Sequence, residues 1–341
     1  QGRGGGGRRA CRASGMSAVY LEHRDAHHVP GARTPAEVTA AVEQAAQALA
    51  SCDAVLITAG AGMGVDSGMP DFRGSTGLWK DRSLALTYEE MSDDRWFSED
   101  PLFAWGVNYT QMMMYRNTRP HAGYDVLLRW AEWLQKPYMV FTSNIDSHFE
   151  KAGFPEDKVV ACHGDMHHLQ CVDRQCRSGE PSGDGDVWSA DCIPDGLDEE
   201  VDKDALRFRS ESALDLPAFH CPRCGKLSRP NVWFCHDRNY QARKSASARR
   251  DAFNDWLASL AETKKKLVVV ECGGGMAIPT VRVESEDAVE NSGPGSLLLR
   301  LNPTDCKVPA ERGVGIPLGG REGLLRIDAA LKAVLPARRG G

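Results

Sequence analysis

Four cysteines occur in two closely spaced pairs, a pattern that is typical of a structural zinc site. Four residues separate Cys171 from Cys176, and two separate Cys221 from Cys224. Thiolate sulfur is a preferred ligand of Zn²⁺, and a closed shell of four protein ligands leaves no open position for catalysis. The pairs therefore predict one tetrahedral zinc ion with a structural role. Cys192, which lies between the pairs, is an alternative ligand.

Two glycine-rich segments follow apolar runs and are suited to binding phosphate. The first contains Gly60 and Gly62 and leads into a predicted helix; glycines allow the backbone to approach a ligand closely, and the free amides at a helix start attract an anion. Position 65 is Val, where the common dinucleotide fingerprint has a third glycine. The second segment, residues 272–275, ends a predicted strand, and open parallel sheets bind ligands at such ends.

The surrounding sequence alternates helical and strand-like patterns. Residues 35–50 are alanine-rich and amphipathic, with Pro35 in the first turn, which predicts a helix. Short apolar runs predict strands at 53–58, 138–142, 159–162, 267–271 and 296–301. Strands that alternate with helices indicate a parallel sheet covered on both faces. We therefore predict an α/β fold with a Rossmann-like parallel sheet, plus a small domain that contains the four-cysteine zinc ribbon.

The stretch from Cys171 to Cys224 interrupts this alternation. It is rich in Gly, Asp, Pro and Cys and has no sustained apolar period. Residues 180–204 include ten acidic residues and one Lys, which indicates a solvated, mobile surface loop. Attraction of basic protein tails is the alternative interpretation of this acidic segment.

Composition restricts the compartment and the class of partner. The 341 residues are 42% hydrophobic and carry a net charge of −6, so we expect a sizeable core and no general attraction to nucleic acid or an anionic membrane. No apolar run approaches the roughly 20 residues of a membrane span. The 11 scattered cysteines, an odd number, favour a reducing compartment over a secreted disulfide framework. We expect an intracellular protein, cytoplasmic or nuclear rather than organellar.

Residues 1–34 predict a disordered or poorly structured lead-in. Residues 1–12 are mainly Gly and Arg and contain no acid. Met16 is one candidate for the natural start, and an Arg-rich transit peptide is the other interpretation.

Three segments, in this order, resemble the sirtuins: Ser67-Gly-Met-Pro-Asp-Phe-Arg-Gly74, Thr142-Ser-Asn-Ile-Asp146 and Cys162-His-Gly164. The resemblance covers most of residues 36–335, and sirtuins carry a zinc ribbon at the same place in the chain. It implies NAD-dependent removal of acyl groups, acetyl above all, from protein lysine, with release of nicotinamide and O-acyl-ADP-ribose. NAD is then a co-substrate, and the zinc ion is structural.

The resemblance also implies roles for single residues. Asn144 and Asp146 hold the amide of nicotinamide, and His163 acts as a base on a ribose hydroxyl. Phe72 lies over the reacting ribose and Asn302 meets the adenosine ribose. The residues assigned to NAD are Gly60, Ala61, Gly62, Asp71, Phe72, Arg73, Ser143, Asn144, Ile145, Asp146, Gly273, Gly274, Gly275 and Asn302; those assigned to the acyl-lysine substrate are His163, Val232, Trp233 and Phe234.

The implied catalytic domain spans residues 35–335. Its NAD-binding, Rossmann-like part takes about 35–73, 120–165 and 235–335. Its small domain consists of a helical excursion, 74–119, and the zinc-ribbon insert, 166–234.

Departures from the sirtuin pattern leave alternatives open. Ser143 replaces a Gln of the family, which shortens a ribose contact, and Cys235 and His236 stand where the substrate strand has an aromatic residue and a Gly. Poor lysine docking would favour mono-ADP-ribosylation of protein or plain hydrolysis of NAD. A catalytically weak NAD-binding scaffold is the non-enzymatic alternative. The helical region has no Tyr-x-x-Arg pair of the kind used for acidic acyl groups, which disfavours succinyl-lysine.

Overall fold

The computed structural model describes residues 27–28, 34–70, 86–176 and 186–335. Contacts within the chain separate two units. Of the described residues, the first unit holds 27–28, 34–66, 121–143 and 254–335, and the second holds 67–70, 86–120, 144–176 and 186–253. Asp71, Phe72 and Arg73, which the sequence assigns to NAD, lie outside the described residues.

Strands and helices alternate in the described ranges. The strands are β1 (His27–His28), β2 (Ala54–Ala59), β3 (Tyr138–Thr142), β4 (Val159–Ala161), β5 (Gly164–Cys171), β6 (Val187–Ser189), β7 (Val201–Asp202), β8 (Arg207–Phe208), β9 (Ser228–Val232), β10 (Leu267–Cys272), β11 (Leu297–Leu301), β12 (Val308–Pro309) and β13 (Gly313–Ile316). The helices are α1 (Pro35–Ser51), α2 (Tyr88–Met91), α3 (Trp96–Glu99), α4 (Pro101–Asn117), α5 (Ala122–Trp133), α6 (His148–Lys151), α7 (Lys244–Glu262), α8 (Thr280–Asn291) and α9 (Gly320–Val334). None of the helices in these ranges combines the length and the apolar character needed to cross a bilayer.

The parallel strands of the first unit run in the order β13, β11, β10, β2, β3. The register places Val269 of β10 beside Leu56 of β2, which lies beside Met139 of β3. Every residue of β2 and β10 is buried, as expected for central parallel strands that are covered on both faces. The predicted strands are confirmed, with ends that shift by one residue at most.

Helices of the first unit pack in two separate groups. Helices α1 and α5 both contact α9, where Asp328 accepts hydrogen bonds from Trp130 Nε1 at 2.9 Å and Arg129 Nη2 at 2.7 Å. Helix α8 packs instead against β10 and β11. The predicted α/β fold with a Rossmann-like parallel sheet is therefore confirmed.

The second unit contains an antiparallel sheet with the order β6, β5, β9, beside an aromatic core. The ring of Trp105 on α4 lies edge-on to that of Phe219, with centroids 4.7 Å apart, and Tyr109 packs on Phe208 at 5.6 Å. Trp105 Nε1 also donates to the carbonyl oxygen of Ser228 at 3.0 Å, which ties α4 to β9.

The acidic insert is anchored to the second unit by a few buried apolar residues and by α4, which the sequence did not predict. Ala190, Ile193 and Val201 are buried. Arg116 on α4 donates to the carbonyl oxygens of Ala190 and Ile193 at 2.6 and 2.8 Å. The acidic residues of this stretch stay exposed, as predicted: Asp191, Asp195, Asp198, Glu199, Glu200 and Asp204; residues 177–185 lie outside the described residues. The buried apolar residues were not predicted because they are too sparse to give a local period, and they pack into the core of the second unit.

The boundary between the units differs from the sequence-based division at three places. Among the described residues, 67–70, 144–165 and 235–253 group with the second unit. The carbonyl oxygen of Ile145 accepts the amide of Met166 at 3.1 Å, and Arg243 Nη2 donates to Asp165 at 2.8 Å. These contacts attach the last two stretches to β5.

Candidate functional site

The two glycine-rich segments of the first unit pack backbone against backbone. The amide of Gly62 donates to the carbonyl oxygen of Gly273 at 3.1 Å, and the amide of Gly60 donates to the carbonyl oxygen of Cys272 at 3.0 Å. A Cβ on Gly60 would lie 2.8 Å from Gly273 O, and one on Gly62 would lie 2.8 Å from Gly273 Cα. The sequence predicts small residues here for a phosphate. The structure adds that this backbone contact itself excludes side chains.

The segment after β2 is a 3₁₀ helix, Ala61–Ser67. His121 holds it in place: its Nδ1 accepts the amide of Gly123 at 2.9 Å, so the proton is on Nε2, which donates to the carbonyl oxygen of Met63 at 2.9 Å. Burial lowers the pKa of His121, which favours this neutral form. No local sequence signal marks His121, because its partner lies 58 residues away in the chain.

Asn302 connects the ends of two neighbouring strands, β10 and β11. Its Nδ2 donates to the carbonyl oxygen of Gly274 at 3.2 Å. Its Oδ1 accepts the amides of Thr304 at 3.0 Å and Asp305 at 2.9 Å, which forms the turn after β11. The residue assigned to the adenosine ribose therefore also shapes the cradle formed by Gly273, Gly274 and Gly275.

A buried ion network beneath this cradle escaped the sequence analysis. Glu271 lies at the end of β10 and accepts hydrogen bonds from Arg300 Nε at 2.7 Å and Nη2 at 2.8 Å. Both side chains are fully buried. A charged residue inside an apolar strand is the sequence signal that could have found them, since a lone buried charge is too costly to keep.

The loop that holds Asn144 and Asp146 belongs mainly to the second unit, after Ser143 at the end of the first. Asp146 is 5% exposed, and its Oδ1 accepts the amide of His148 at 2.9 Å. Burial raises the pKa of Asp146 to about 6, although the His148 hydrogen bond and the charge of Lys151 act in the opposite direction. The Asp146 side chain is therefore mostly ionised at neutral pH and becomes protonated in mild acid.

His163 lies immediately before β5, and its backbone is fixed by β9. Its carbonyl oxygen accepts the amide of Trp233 at 2.9 Å. The next residue, Gly164, has φ of +76°, and a Cβ there would lie 2.1 Å from the carbonyl oxygen of Asn231. Glycine after His163 is therefore required by the approach of two strands.

An ion-pair network supports the same strand from the other side. Arg243 Nη1 donates to His168 Nε2 at 3.0 Å, so His168 Nδ1 carries the proton that it shares with Asp165 at 2.6 Å. Burial by itself would raise the pKa of Asp165, but the hydrogen bond from His168 and the charge of Arg243 keep it below the usual range. This network fixes β5, which begins one residue after His163.

The residues assigned to substrate, Val232, Trp233 and Phe234, end β9 and begin the following loop. The Phe234 ring lies 5.7 Å from that of Phe97. Next to it, the amide of Cys235 donates to the carbonyl oxygen of Ser92 at 2.8 Å. His236 has φ of +59°, the region in which glycine is favoured. The two departures from the sirtuin pattern thus affect the backbone differently. The Cys235 amide is hydrogen-bonded within the protein, and His236 has a strained positive φ.

The four predicted zinc ligands come together in the second unit. The Sγ atoms of Cys171, Cys176, Cys221 and Cys224 all lie within 4.8 Å of one another. Cys171 is 3.6 Å from Cys224, and Cys176 is 3.8 Å from Cys221. Zn–S bonds of about 2.3 Å in a tetrahedron place sulfur atoms roughly 3.8 Å apart, so the donor set fits Zn²⁺. Cys192 is not part of this group; its Sγ faces the carbonyl oxygens of Ser189 and Ala218.

A parallel sheet with a glycine cradle at its strand ends, and a separate four-cysteine cluster, define a Rossmann-like α/β protein with a cysteine-rich insert. The Sir2 family profile matches residues 60–254, more than half of the chain. The chain belongs to the Sir2 family.

Curated relatives carry two kinds of name. A probable bifunctional ADP-ribose hydrolase/ADP-ribosyltransferase of Fusarium oxysporum f. sp. cubense is 29% identical over 77% of this chain and 43% of its own length. An NAD-dependent protein deacylase of Thermococcus kodakarensis is 30% identical over 56% of this chain and 63% of its own length. The chain therefore spans less than two thirds of each of these relatives.

Solved structures agree with the fold. A Sir2 homologue mutant in complex with ADP-ribose matches 87% of this chain and 99% of its own, with a TM-score of 0.58 and 17% identity. A Sir2 homologue in complex with NAD matches 91% and 97%, with a TM-score of 0.53 and 19% identity. At this level of identity the likeness concerns the fold.

Proposed function

We propose that this protein removes acyl groups, acetyl in the first place, from protein lysine in a reaction that consumes NAD and releases nicotinamide and O-acyl-ADP-ribose. The observation that carries the proposal is the connection between two loops of the second unit. The hydrogen bond from the Met166 amide to the Ile145 carbonyl oxygen attaches the loop of Asn144 and Asp146 to β5, the strand that follows His163. A carboxamide, a buried carboxylate and an imidazole are thereby held on adjoining loops.

In this proposal each residue has a separate task. Asn144 and Asp146 bind the carboxamide of nicotinamide, since an amide needs both a donor and an acceptor. His163 takes a proton from a ribose hydroxyl as the acyl group is transferred. The glycines of the cradle and Asn302 bind the ADP-ribose part, and Val232, Trp233 and Phe234 contact the acyl-lysine. The four cysteines hold one structural Zn²⁺, which supplies no chemistry to the reaction.

The test is mass spectrometry of an acetyl-lysine peptide after incubation with the protein and NAD. We expect loss of the acetyl mass and appearance of O-acetyl-ADP-ribose. A His163→Ala variant should be slower by at least about 100-fold, the usual contribution of a general base. His220→Ala, which removes a histidine that contacts the carbonyl oxygen of Leu216, is the matched control and should retain the activity. An unmodified peptide with no nicotinamide released would contradict the proposal.

Mono-ADP-ribosylation of a protein is the second candidate function. Two observations favour it. One is the name of the Fusarium relative, and the other is the hydrogen bond from the Cys235 amide to the Ser92 carbonyl oxygen at the end of the expected substrate strand. An amide already bound within the protein has no hydrogen left for an extended peptide. Release of nicotinamide together with a mass increase on an acceptor protein, and with the acetyl group retained, would decide for this activity. Release of nicotinamide with neither product would indicate hydrolysis of NAD.

A further inference from the structure

Arg282 on α8 is a buried arginine that joins two strand-end loops of the first unit. It is 1% exposed. Its Nε donates to the carbonyl oxygen of Gly274 at 2.9 Å, and its Nη2 donates to the carbonyl oxygen of Asp305 at 2.5 Å. Gly274 belongs to the cradle after β10, and Asp305 belongs to the turn that Asn302 forms after β11. One side chain therefore connects both loops that the sequence assigns to NAD.

Two carboxylates lie beside this guanidinium. Glu271 Oε1 lies 4.0 Å from Arg282 Nε, and Asp305 Oδ2 lies 3.6 Å from Nη1. Glu271 is itself held by two hydrogen bonds from Arg300. A buried cation with opposite charges and hydrogen-bond acceptors around it has little freedom to move.

Gly274 rests directly on this network. A Cβ on Gly274 would lie 2.6 Å from Glu271 Oε1 and 3.3 Å from Arg282 Cγ. Its carbonyl oxygen accepts from both Arg282 and Asn302, at 2.9 and 3.2 Å. Two donors on one oxygen determine the orientation of the whole peptide group, because that group is planar.

The amide of Gly275 belongs to the same peptide group. In a trans peptide the N–H points away from the C=O, so a carbonyl held toward Arg282 directs the Gly275 N–H to the opposite side. Gly275 is exposed, and a Cβ there would meet no heavy atom within 4 Å among the described residues. The network thus directs the N–H of an exposed residue away from the buried Arg282.

We propose that Arg282 is a positioning residue that orients the Gly275 amide toward a diphosphate oxygen of NAD. The inference rests on the proposed function, since it takes NAD as the ligand of the cradle. Arg282 itself does not touch the ligand. It acts through the Gly274 carbonyl, and its effect is therefore on binding of the ADP-ribose part rather than on the chemical step.

Calorimetric binding of ADP-ribose to three variants tests this role. Arg282→Met removes both donors, Nε and Nη2, and should raise Kd by about tenfold, the equivalent of one charge-assisted hydrogen bond. Arg282→Lys keeps the positive charge and can donate to one of the two carbonyl oxygens. Its Kd should therefore lie between those of the unaltered protein and Arg282→Met. Arg312→Met is the matched control, because Arg312 also donates to backbone carbonyl oxygens, those of Val289 and Glu290 at the other end of α8, outside the cradle. It should bind like the unaltered protein.

Kinetics separate positioning from mere destabilisation. Arg282→Lys and Arg282→Met should raise KM for NAD with kcat within about twofold of the unaltered protein, whereas loss of folded protein lowers kcat alone. If Arg282→Met does not fold, Arg282→Lys carries the test. Unchanged Kd and KM in both Arg282 variants, or an equal change in Arg312→Met, overturn the inference and leave the proposed function intact. No binding of ADP-ribose or NAD by the unaltered protein overturns both.

Discussion

The amide of Gly62 donates to the carbonyl oxygen of Gly273 across 3.1 Å, although 211 positions separate the two residues in the chain. This bond joins the segments that follow β2 and β10, two neighbouring strands of the sheet. The cradle is therefore one structure built from two glycine-rich segments. Its integrity depends on side chains being absent at the contact.

Gly273→Ala should destabilise the protein strongly. Gly273 has φ of +66°, which costs a residue with a Cβ roughly 1–3 kcal/mol, and the new Cβ would lie only 2.2 Å from the Met63 nitrogen. Gly275→Ala is the matched control, since its Cβ meets no described atom within 4 Å. Urea unfolding of both variants measures the difference. Equal stability of the two would show that the contact is not close in solution.

Release of nicotinamide should decline in mild acid. Burial raises the pKa of Asp146 to about 6, so the carboxylate is present above that pH and is progressively protonated below it. We expect kcat/KM for NAD to fall about tenfold per pH unit below 6. Asp146→Asn should be slower by roughly 100-fold at pH 7.5 and should not show this group's acid limb. Asp157→Asn, at an exposed acid, is the control, and an unchanged profile in Asp146→Asn would refute the assignment.

Stability should also fall in mild acid, through His121. Burial lowers the pKa of His121 in the folded state, so below the ordinary value of 6.5 the unfolded chain binds more protons. The stability that depends on neutral His121 is fully present above pH 6.5. It is lost as the pH falls toward the lower pKa that His121 has in the folded protein. The free energy of unfolding at pH 7.5 minus that at pH 5.5 should therefore be smaller in His121→Asn. The same difference in both proteins would exclude this role.

Zinc should be needed for the second unit to stay folded. Cys221→Ser and Cys224→Ser each remove one of four thiolates, and we expect the purified variants to lose the metal and to melt at a lower temperature. Cys192→Ser should keep about one zinc ion per chain, because its sulfur lies outside the cluster. Atomic absorption and thermal unfolding give the two readouts. Full zinc content in Cys221→Ser would point to another ligand set.

The fold class and the four-cysteine cluster could be predicted well from local sequence. Buried parallel strands are apolar on both faces, so runs such as residues 267–270 mark them without reference to any partner. Thr34 and Glu37 form the capping box that starts α1, and a cap is also a local pattern. The roles assigned to Asn144, Asp146 and His163 came from short motifs, and they stay predictions until activity is measured.

The tertiary structure decided what depends on distant partners. Residue type and short spacing are enough to predict five strands of the fold, the cysteine quartet and the glycine segments, because each of these is a local pattern. The sequence by itself could not determine that Gly62 binds Gly273, that His121 holds Met63, or that Arg282 and Asn302 share the carbonyl oxygen of Gly274. The acidic insert is the same case, since Ile193 is buried by packing into the core of the second unit. Local patterns record propensity and burial, whereas the pairing of groups far apart in the chain is fixed only when the whole chain packs.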